Sequence, residues 1–158
     1  MTFDLEAMLR ALRDVDFILV GGVAAAVQGA PIVTQDVDIL HHIESSNLLR
    51  LEAALLALDA VARDDPRRLR FGISHLETKG HELTMTRAGA LDVLGSINQE
   101  QLLFEDVLQY TDRMDFDGIE IKVLQLAKLV ELKRRLGRPK DLAALPVLEA
   151  TLRERQRG

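Results

Sequence analysis

The chain has 158 residues, 47% hydrophobic and 28% charged, with a formal net charge of −5 and no cysteine. That length suits one domain with a substantial core, and the lack of cysteine excludes disulfides and thiolate metal sites. No run reaches the roughly 18 apolar residues of a membrane span, and acids interrupt the apolar residues of the first segment, so neither a membrane nor a secretory leader is expected and the cytoplasm is the default.

Residues 4–13 read as a helix, with Asp4 as N-cap and Leu5, Met8, Leu9 and Leu12 at helical spacing. Phe17 to Val20 reads as a short buried strand, stopped by Gly21-Gly22. A small-residue helix over Val23 to Gln28 follows, closed by Gly29 and Pro31. Asp36 to His41 reads as a second strand, and Ser45 or Ser46 caps a longer helix to about Leu58. Two hairpins are expected, one joining 81–86 to 90–94 and one built around Asp117-Gly118, with a helix from about Gln99 to Gln109 between them. The chain finishes with helices over about Gln125 to Leu136 and Lys140 to Arg155, broken at Gly137-Arg138-Pro139. Strands and helices do not alternate regularly, which predicts an α+β domain with a mixed β-sheet flanked by helices and a C-terminal helical pair.

The charge is unevenly placed. Between Lys122 and Lys140 lie seven basic residues and one acid, so this segment is +6 and the remainder −11. Such a run is either a solvated helix face or a local anion site on an acidic protein. On the helix from Gln125, Leu126, Leu129, Val130, Leu132 and Leu136 form one stripe, and Lys133 falls inside it. A lysine there either snorkels along the apolar face or answers an anion.

The pair Asp36 and Asp38 interrupts an otherwise apolar strand. Side chains two apart on a strand share one face, about 7 Å apart at the usual rise, while Val37 and Ile39 take the other. Two like charges so close raise each other's pKa unless a cation intervenes. Oxygen-only ligands suit Mg2+ or Mn2+. Upstream, Gly21 and Gly22 end a strand and open a helix, where backbone N–H groups can approach a phosphate. A phosphate cradle beside a metal clamp is what phosphoryl or nucleotidyl transfer asks for. His41-His42 reads as a surface pair at a strand end, with one ring bordering the site as the alternative, and His75 and His81 show no ligand spacing.

The stretch "LVGGVAAAVQGAPIVTQDVDIL" resembles the signature of the nucleotidyltransferase superfamily (DNA polymerase β-like), a glycine pair followed after about ten residues by Asp-x-Asp. It is most similar to the small bacterial branch of minimal nucleotidyltransferases and abortive-infection toxins. "GALDVLGSI" resembles the later strand carrying the third carboxylate, which implies that role for Asp92. "LAKLVELKRRLGRPKDLAAL" is similar to the branch's C-terminal pattern, on Lys133, Gly137-Arg138, Lys140 and Asp141. The resemblance implies one nucleotidyltransferase-like domain, with a core over about residues 1–123 and a helical part over about 124–158. It implies a nucleoside triphosphate such as ATP as donor, Asp36, Asp38 and Asp92 as catalytic metal ligands, and Gly21, Gly22, Lys133 and Lys140 as nucleotide-binding residues. Among acceptors it admits RNA such as a tRNA end, a protein side chain or a small molecule, and among partners an antitoxin. Relatives often carry a basic residue shortly before the Asp-x-Asp, where this chain has Ile32 and Val33, with Gln35 adjoining the pair. That departure keeps a second reading open, a nucleotide- or partner-binding module of the same fold without chemistry.

Overall fold

The computed structural model of the protein describes residues 2–158. In chain order its elements are α1 (Leu5–Ala11), β1 (Phe17–Val20), α2 (Gly21–Val27), β2 (Val37–His41), α3 (Ser45–Ala57), β3 (Val61–Ala62), α4 (Ile73–Leu76), β4 (His81–Thr86), β5 (Gly89–Leu94), α5 (Phe104–Val107), β6 (Thr111–Phe116), β7 (Ile119–Leu124), α6 (Leu126–Leu136) and α7 (Pro139–Arg157). The strands form one seven-stranded sheet in the order β3-β4-β5-β2-β1-β7-β6. Strand β1 lies antiparallel to β2 and parallel to β7, and β2 lies parallel to β5, so the sheet is mixed as expected.

All four residues of β1 are buried, as the unbroken apolar run Phe-Ile-Leu-Val requires of an inner strand covered on both faces. On β2 and β5 the alternation is strict at the site: Val37, Ile39, Leu91 and Val93 are fully buried, and Asp38 and Asp92 face the other way. Met8, Leu9 and Leu12 at α1 join Leu51, Leu55 and Leu58 at α3 in the same apolar cluster as those four strand residues. Each such side chain removed from water contributes about 1.5–3 kcal/mol. Among the described residues no helix is long and apolar enough to cross a membrane.

Buried polar side chains fasten the helices to the sheet. Gln28 donates from Nε2 to the carbonyls of Ala24 and Leu124, both at 2.8 Å, and its Oε1 accepts from the Leu126 N–H at 2.9 Å. It thereby ties the end of α2 to the junction of β7 and α6. Asn47 does the same for α3: its Nδ2 donates to Asp16 and His42 carbonyls, and its Oδ1 accepts from the Asp16 N–H.

Local chemistry decides where the elements differ from expectation. Helix α2 begins at Gly21, so the glycine pair forms its first turn. The helix expected over 99–109 is confined to Phe104–Val107 and a 3-10 turn over Leu108–Tyr110. Asn98 and Gln101 have φ of 63° and 53°, which closes a tight turn bridging Ile97 to Leu102. A left-handed backbone suits asparagine and cannot continue a helix. Strand β3 and helix α4, of two and four residues, were not anticipated.

Helices α6 and α7 form the expected C-terminal pair. Gly137 caps α6 with φ 62°, donating to the Lys133 carbonyl, and Pro139 opens α7. Across this corner Asp141, 1% exposed, accepts from Arg138 Nε at 2.6 Å and Nη2 at 3.2 Å and from Lys133 Nζ at 3.5 Å. The Arg138 hydrogen bonds, more than Lys133, hold its carboxyl below the usual range despite burial. Asp141→Asn would leave two cations facing a neutral amide, but both retain some access to water. The expected loss is therefore about 2–3 kcal/mol, below that of a wholly buried pair. Urea unfolding would show a lower midpoint at unchanged slope; a shift under about 0.5 kcal/mol would mean that this corner does not depend on the ion pair.

Candidate active site

The register of the sheet builds the site. Asp38 pairs with Asp92 across β2 and β5, and Asp92 with Leu83 across β5 and β4. The Arg63 N–H donates to the Leu83 carbonyl at 2.9 Å, continuing the β3–β4 register by one residue. Residues opposite one another in a sheet share a face. Arg63, Leu83, Asp92 and Asp38 therefore form one row across four strands. Asp36 stands just before β2, where Thr34 Oγ1 donates to its carbonyl at 2.9 Å. One carboxylate oxygen from each of Asp36, Asp38 and Asp92 lies within 4.8 Å of the other two. Three acids predicted to act together are thus brought together.

Gly21 adjoins the cluster at the end of β1, where Val20 pairs with Asp38. Its φ is 70°, and a Cβ there would collide with the Asp38 carboxylate. Glycine is required because the acid lies over its backbone. Gly22 faces elsewhere: a Cβ would come to 3.1 Å from Thr34. It packs against the turn that positions Asp36 and is outside the lining of the cleft described next.

A cleft of about 270 Å³ opens beside the acids. Gly21, Asp38 and Asp92 line one wall, and Lys133, Arg138 and Lys140 line another. Of its two sequence readings Lys133 takes the second: it answers an anion, Asp141, and also reaches the cleft. Lys140 has no acidic partner within 4 Å among the described residues. His41 is buried rather than at the surface, with Nε2 2.7 Å from the Leu76 carbonyl. Burial lowers its pKa. His42 stacks on Phe104, and neither ring lines the cleft.

Electrostatics make the acid cluster expectant of a cation. Asp38 is pushed up to about 8, first by burial, then by hydrogen bonding and repulsion with Asp92 and by repulsion from Asp36. Asp36 is raised by burial and by Asp92. Arg63 opposes both shifts. Its Nη2 contacts Asp92 Oδ1, and its Nη1 lies 3.7 Å from Asp36 Oδ2. Its Nε and Nη2 also donate to the Thr84 carbonyl at 3.2 and 2.9 Å. One arginine cannot neutralise three carboxylates. An all-oxygen donor set of this spacing fits a hard divalent cation such as Mg2+ or Mn2+. Arg63 is the residue that sequence reasoning missed. It directly follows a strand only two residues long, too short for periodicity to mark, and only the cross-strand register shows which acid it meets.

The architecture matches solved structures of nucleotidyltransferases, and the chain has the nucleotidyltransferase fold. A Thermotoga maritima protein assigned to that class superposes with a TM-score of 0.59 at 18% identity, over 90% of this chain and 88% of that one. The lincosamide antibiotic adenylyltransferase LnuA, bound to lincomycin, gives 0.61 at 11% identity, over 96% and 99%. ANT(2″)-Ia, in complex with adenylyl-2″-tobramycin, gives 0.58 at 14% identity, over 94% and 87%. No protein-family model and no curated protein sequence matches the chain.

The acid cluster carries a pH signature. The folded Asp38 keeps its proton to about pH 8, whereas an unfolded aspartate loses it near pH 4. Between those values the unfolded chain binds fewer protons, so this group's contribution to stability falls as pH rises. Asp38→Asn removes the cost. In chelator-treated samples the variant should melt about 2–4 °C above the parent at pH 8, a gain on the order of 1 kcal/mol, with the gap closing toward pH 4. Adding Mn2+ should raise the melting temperature of the parent alone. An equal Mn2+ response in the variant would rule out Asp38 as a ligand.

Proposed function

We propose that this protein is a metal-dependent nucleotidyltransferase that moves a nucleoside monophosphate from a nucleoside triphosphate to an acceptor hydroxyl. The observation that carries the reading is the convergence of Asp36, Asp38 and Asp92 opposite a wall of Lys133, Arg138 and Lys140. Acids face the reacting phosphate and bases face the remaining anionic charge. The fold neighbours, among them two antibiotic adenylyltransferases, support the same kind of reaction.

Asp36, Asp38 and Asp92 would hold Mg2+ or Mn2+. When bound, such an ion supplies a Lewis acid that draws charge from the phosphoryl oxygens. Gly21, lacking a side chain, leaves room for the donor's phosphates beside Asp38, with Gly22 extending the same turn. Lys133 and Lys140 balance phosphate charge across the cleft, Lys140 the more freely because no acid holds it. The acceptor oxygen forms a bond to the α-phosphorus while the bond from that phosphorus to the bridging oxygen breaks. Pyrophosphate leaves with the electron pair. Asp92, which lines the cleft, takes the acceptor proton. The acceptor is an RNA end such as that of a tRNA, a protein side chain or a small molecule. A role as the toxin of a pair, silenced by an antitoxin, belongs to the same reading.

A second reading has its own observation. Val33 is 91% exposed and no basic residue stands before the Asp-x-Asp, which weakens the grip on the triphosphate and favours a binding module without chemistry.

Both are decided by incubating the chain with each α-labelled nucleotide, MgCl2, and RNA, protein or small-molecule hydroxyl pools. Mass spectrometry should find an added monophosphate in one pool. Asp38→Ala should reduce transfer by roughly a thousandfold, about 4 kcal/mol of barrier, with an unchanged circular dichroism spectrum. Transfer that survives this substitution would overturn the mechanism. Metal-dependent nucleotide binding with no transfer to any pool would establish the binding module instead.

A further inference from the structure

Resting on the reading above, we propose that Asn98 selects the donor nucleotide by its base, taking adenine or cytosine, whose pairing edge carries an exocyclic amino group, and turning away guanine or uracil, which carry a keto oxygen there. The lining of the cleft divides in two. Charged groups surround one part. The rest is apolar, with Leu94 and Ile97 from the end of β5 and just beyond it, and Leu129, Leu132 and Leu136 from α6. Leu94 lies two residues past Asp92 on the same face of β5, about 7 Å along the strand, and Ile97 and Asn98 follow. With the phosphates held at the acids, the base comes to lie in this apolar part, a ribose away. Apolar side chains hold any base by its faces, so the choice among bases falls to the polar groups that reach its edge.

Asn98 lines the cleft and supplies such a group. Its Nδ2 donates to the Leu132 carbonyl at 3.1 Å. A carbonyl cannot donate in return, so the amide cannot be reversed, and Oδ1 is the atom left over. Oδ1 accepts no hydrogen bond among the described residues. Among those residues the only side-chain atom both buried and unpartnered is His41 Nδ1, so Asn98 Oδ1 is open to a ligand. The backbone beneath it is held firmly. Ile97 and Leu102 exchange hydrogen bonds of 2.9 and 2.8 Å, and the Gln101 N–H donates to the Asn98 carbonyl at 3.2 Å.

An oxygen fixed in this way only accepts. Adenine N6 and cytosine N4 bring N–H donors, whereas guanine O6 and the matching O4 of uracil are acceptors. Against a keto oxygen two acceptors face each other with no hydrogen between them, and away from water that mismatch is costly. The neighbouring groups do not reverse the choice. Lys133 and Arg138 are paired with Asp141, and Arg135 with Glu100 and Glu131. His81 also lines the cleft, with Nε2 2.8 Å from the Ser96 carbonyl. That nitrogen therefore carries the hydrogen, and in the neutral ring Nδ1 is a second acceptor.

The probes are the α,β-methylene triphosphates of adenosine and inosine, matched except for amino against keto at one ring carbon, and those of cytidine and uridine, a second such pair. Calorimetry on the full chain in MgCl2 should show the adenosine and cytidine compounds each binding about tenfold tighter than its keto partner. Asn98→Gly, which suits the left-handed backbone, should bring both ratios to about one in a protein whose melting curve shows it folded. A purely structural role for Asn98 would weaken all four compounds alike and leave the ratios unchanged. In the 15N-labelled parent the Asn98 Nδ2–H signals should move when the adenosine compound binds, because a hydrogen bond at Oδ1 polarises the amide. That measurement decides the matter if Asn98→Gly does not fold. Equal or reversed affinities within the pairs, ratios that survive Asn98→Gly, or unmoved Asn98 signals would each overturn the proposal and leave nucleotidyl transfer standing. Binding of none of the four would overturn the transferase reading and this selection with it.

Discussion

Repulsion among three carboxylates is the constraint around which the molecule is arranged. Two of them are delivered by paired strands, and the third by the turn immediately before one of those strands. Side chains on paired strands cannot move apart without slipping register, and a one-residue slip would turn Val37, Ile39, Leu91 and Val93 out of the core. Apolar burial behind the sheet thus holds charges together in front of it. Burial first, and mutual repulsion after it, raise the pKa of Asp38 and Asp36, and Arg63 offsets part of this from the next strand but one.

A second charge cluster follows the opposite logic. Asp141 is more deeply buried than any of the three acids, yet its carboxyl is held down because Arg138 and Lys133 surround it. Its net charge with those partners is positive, and Lys140 adds to it. The corner between α6 and α7 therefore presents surplus positive charge to the cleft, while the sheet presents surplus negative charge. A ligand that carries both metal and phosphate satisfies both walls at once, which neither wall does for the other across the open cleft. The +6 segment seen in the sequence is partly this wall and partly a solvated face: Arg134 and Arg135 pair with Glu149, Glu100 and Glu131 at the surface.

Much of this was legible in advance because the strongest local signals coincide with the site. The strand–Gly-Gly–helix sequence, the alternation around Asp36-Val37-Asp38-Ile39, both hairpins and the α6–α7 break all have near-neighbour causes, and all are present. The sheet's mixed character was also expected. What was not legible depends on contacts distant in sequence. Arg63 reaches Asp92 across 29 residues, and the strand it follows is defined by pairing rather than by composition. Helix 99–109 failed because Asn98 adopts a left-handed turn and donates to the Leu132 carbonyl, a tertiary bond that composition does not announce. His41 was misjudged for the same reason: α4, which supplies the Leu76 carbonyl above it, is a single turn with no periodicity of its own.

The two walls also differ in how their side chains are held, a difference that suits the transfer proposed above. Each acid is fixed by strand register or, for Asp36, by the Thr34 hydrogen bond. The bases lie on or between two helices joined through Gly137, which has a left-handed backbone, and Arg138. Helix α6 is anchored at its start by Gln28 and near its end by Asn98, and α7 is tied back through Arg155 to the Gln28 carbonyl. Between those anchors Asp141 holds Arg138 and Lys133, and Lys140 has no acidic partner within 4 Å among the described residues. Charge stabilisation of a reacting centre loses its advantage if the charges must reorganise as the reaction proceeds, so the groups nearest the phosphorus belong on the rigid sheet. In the reaction proposed above, groups that grip the departing pyrophosphate must let go afterwards, and a lysine held by no acid would do that with less disturbance than a residue locked into the sheet.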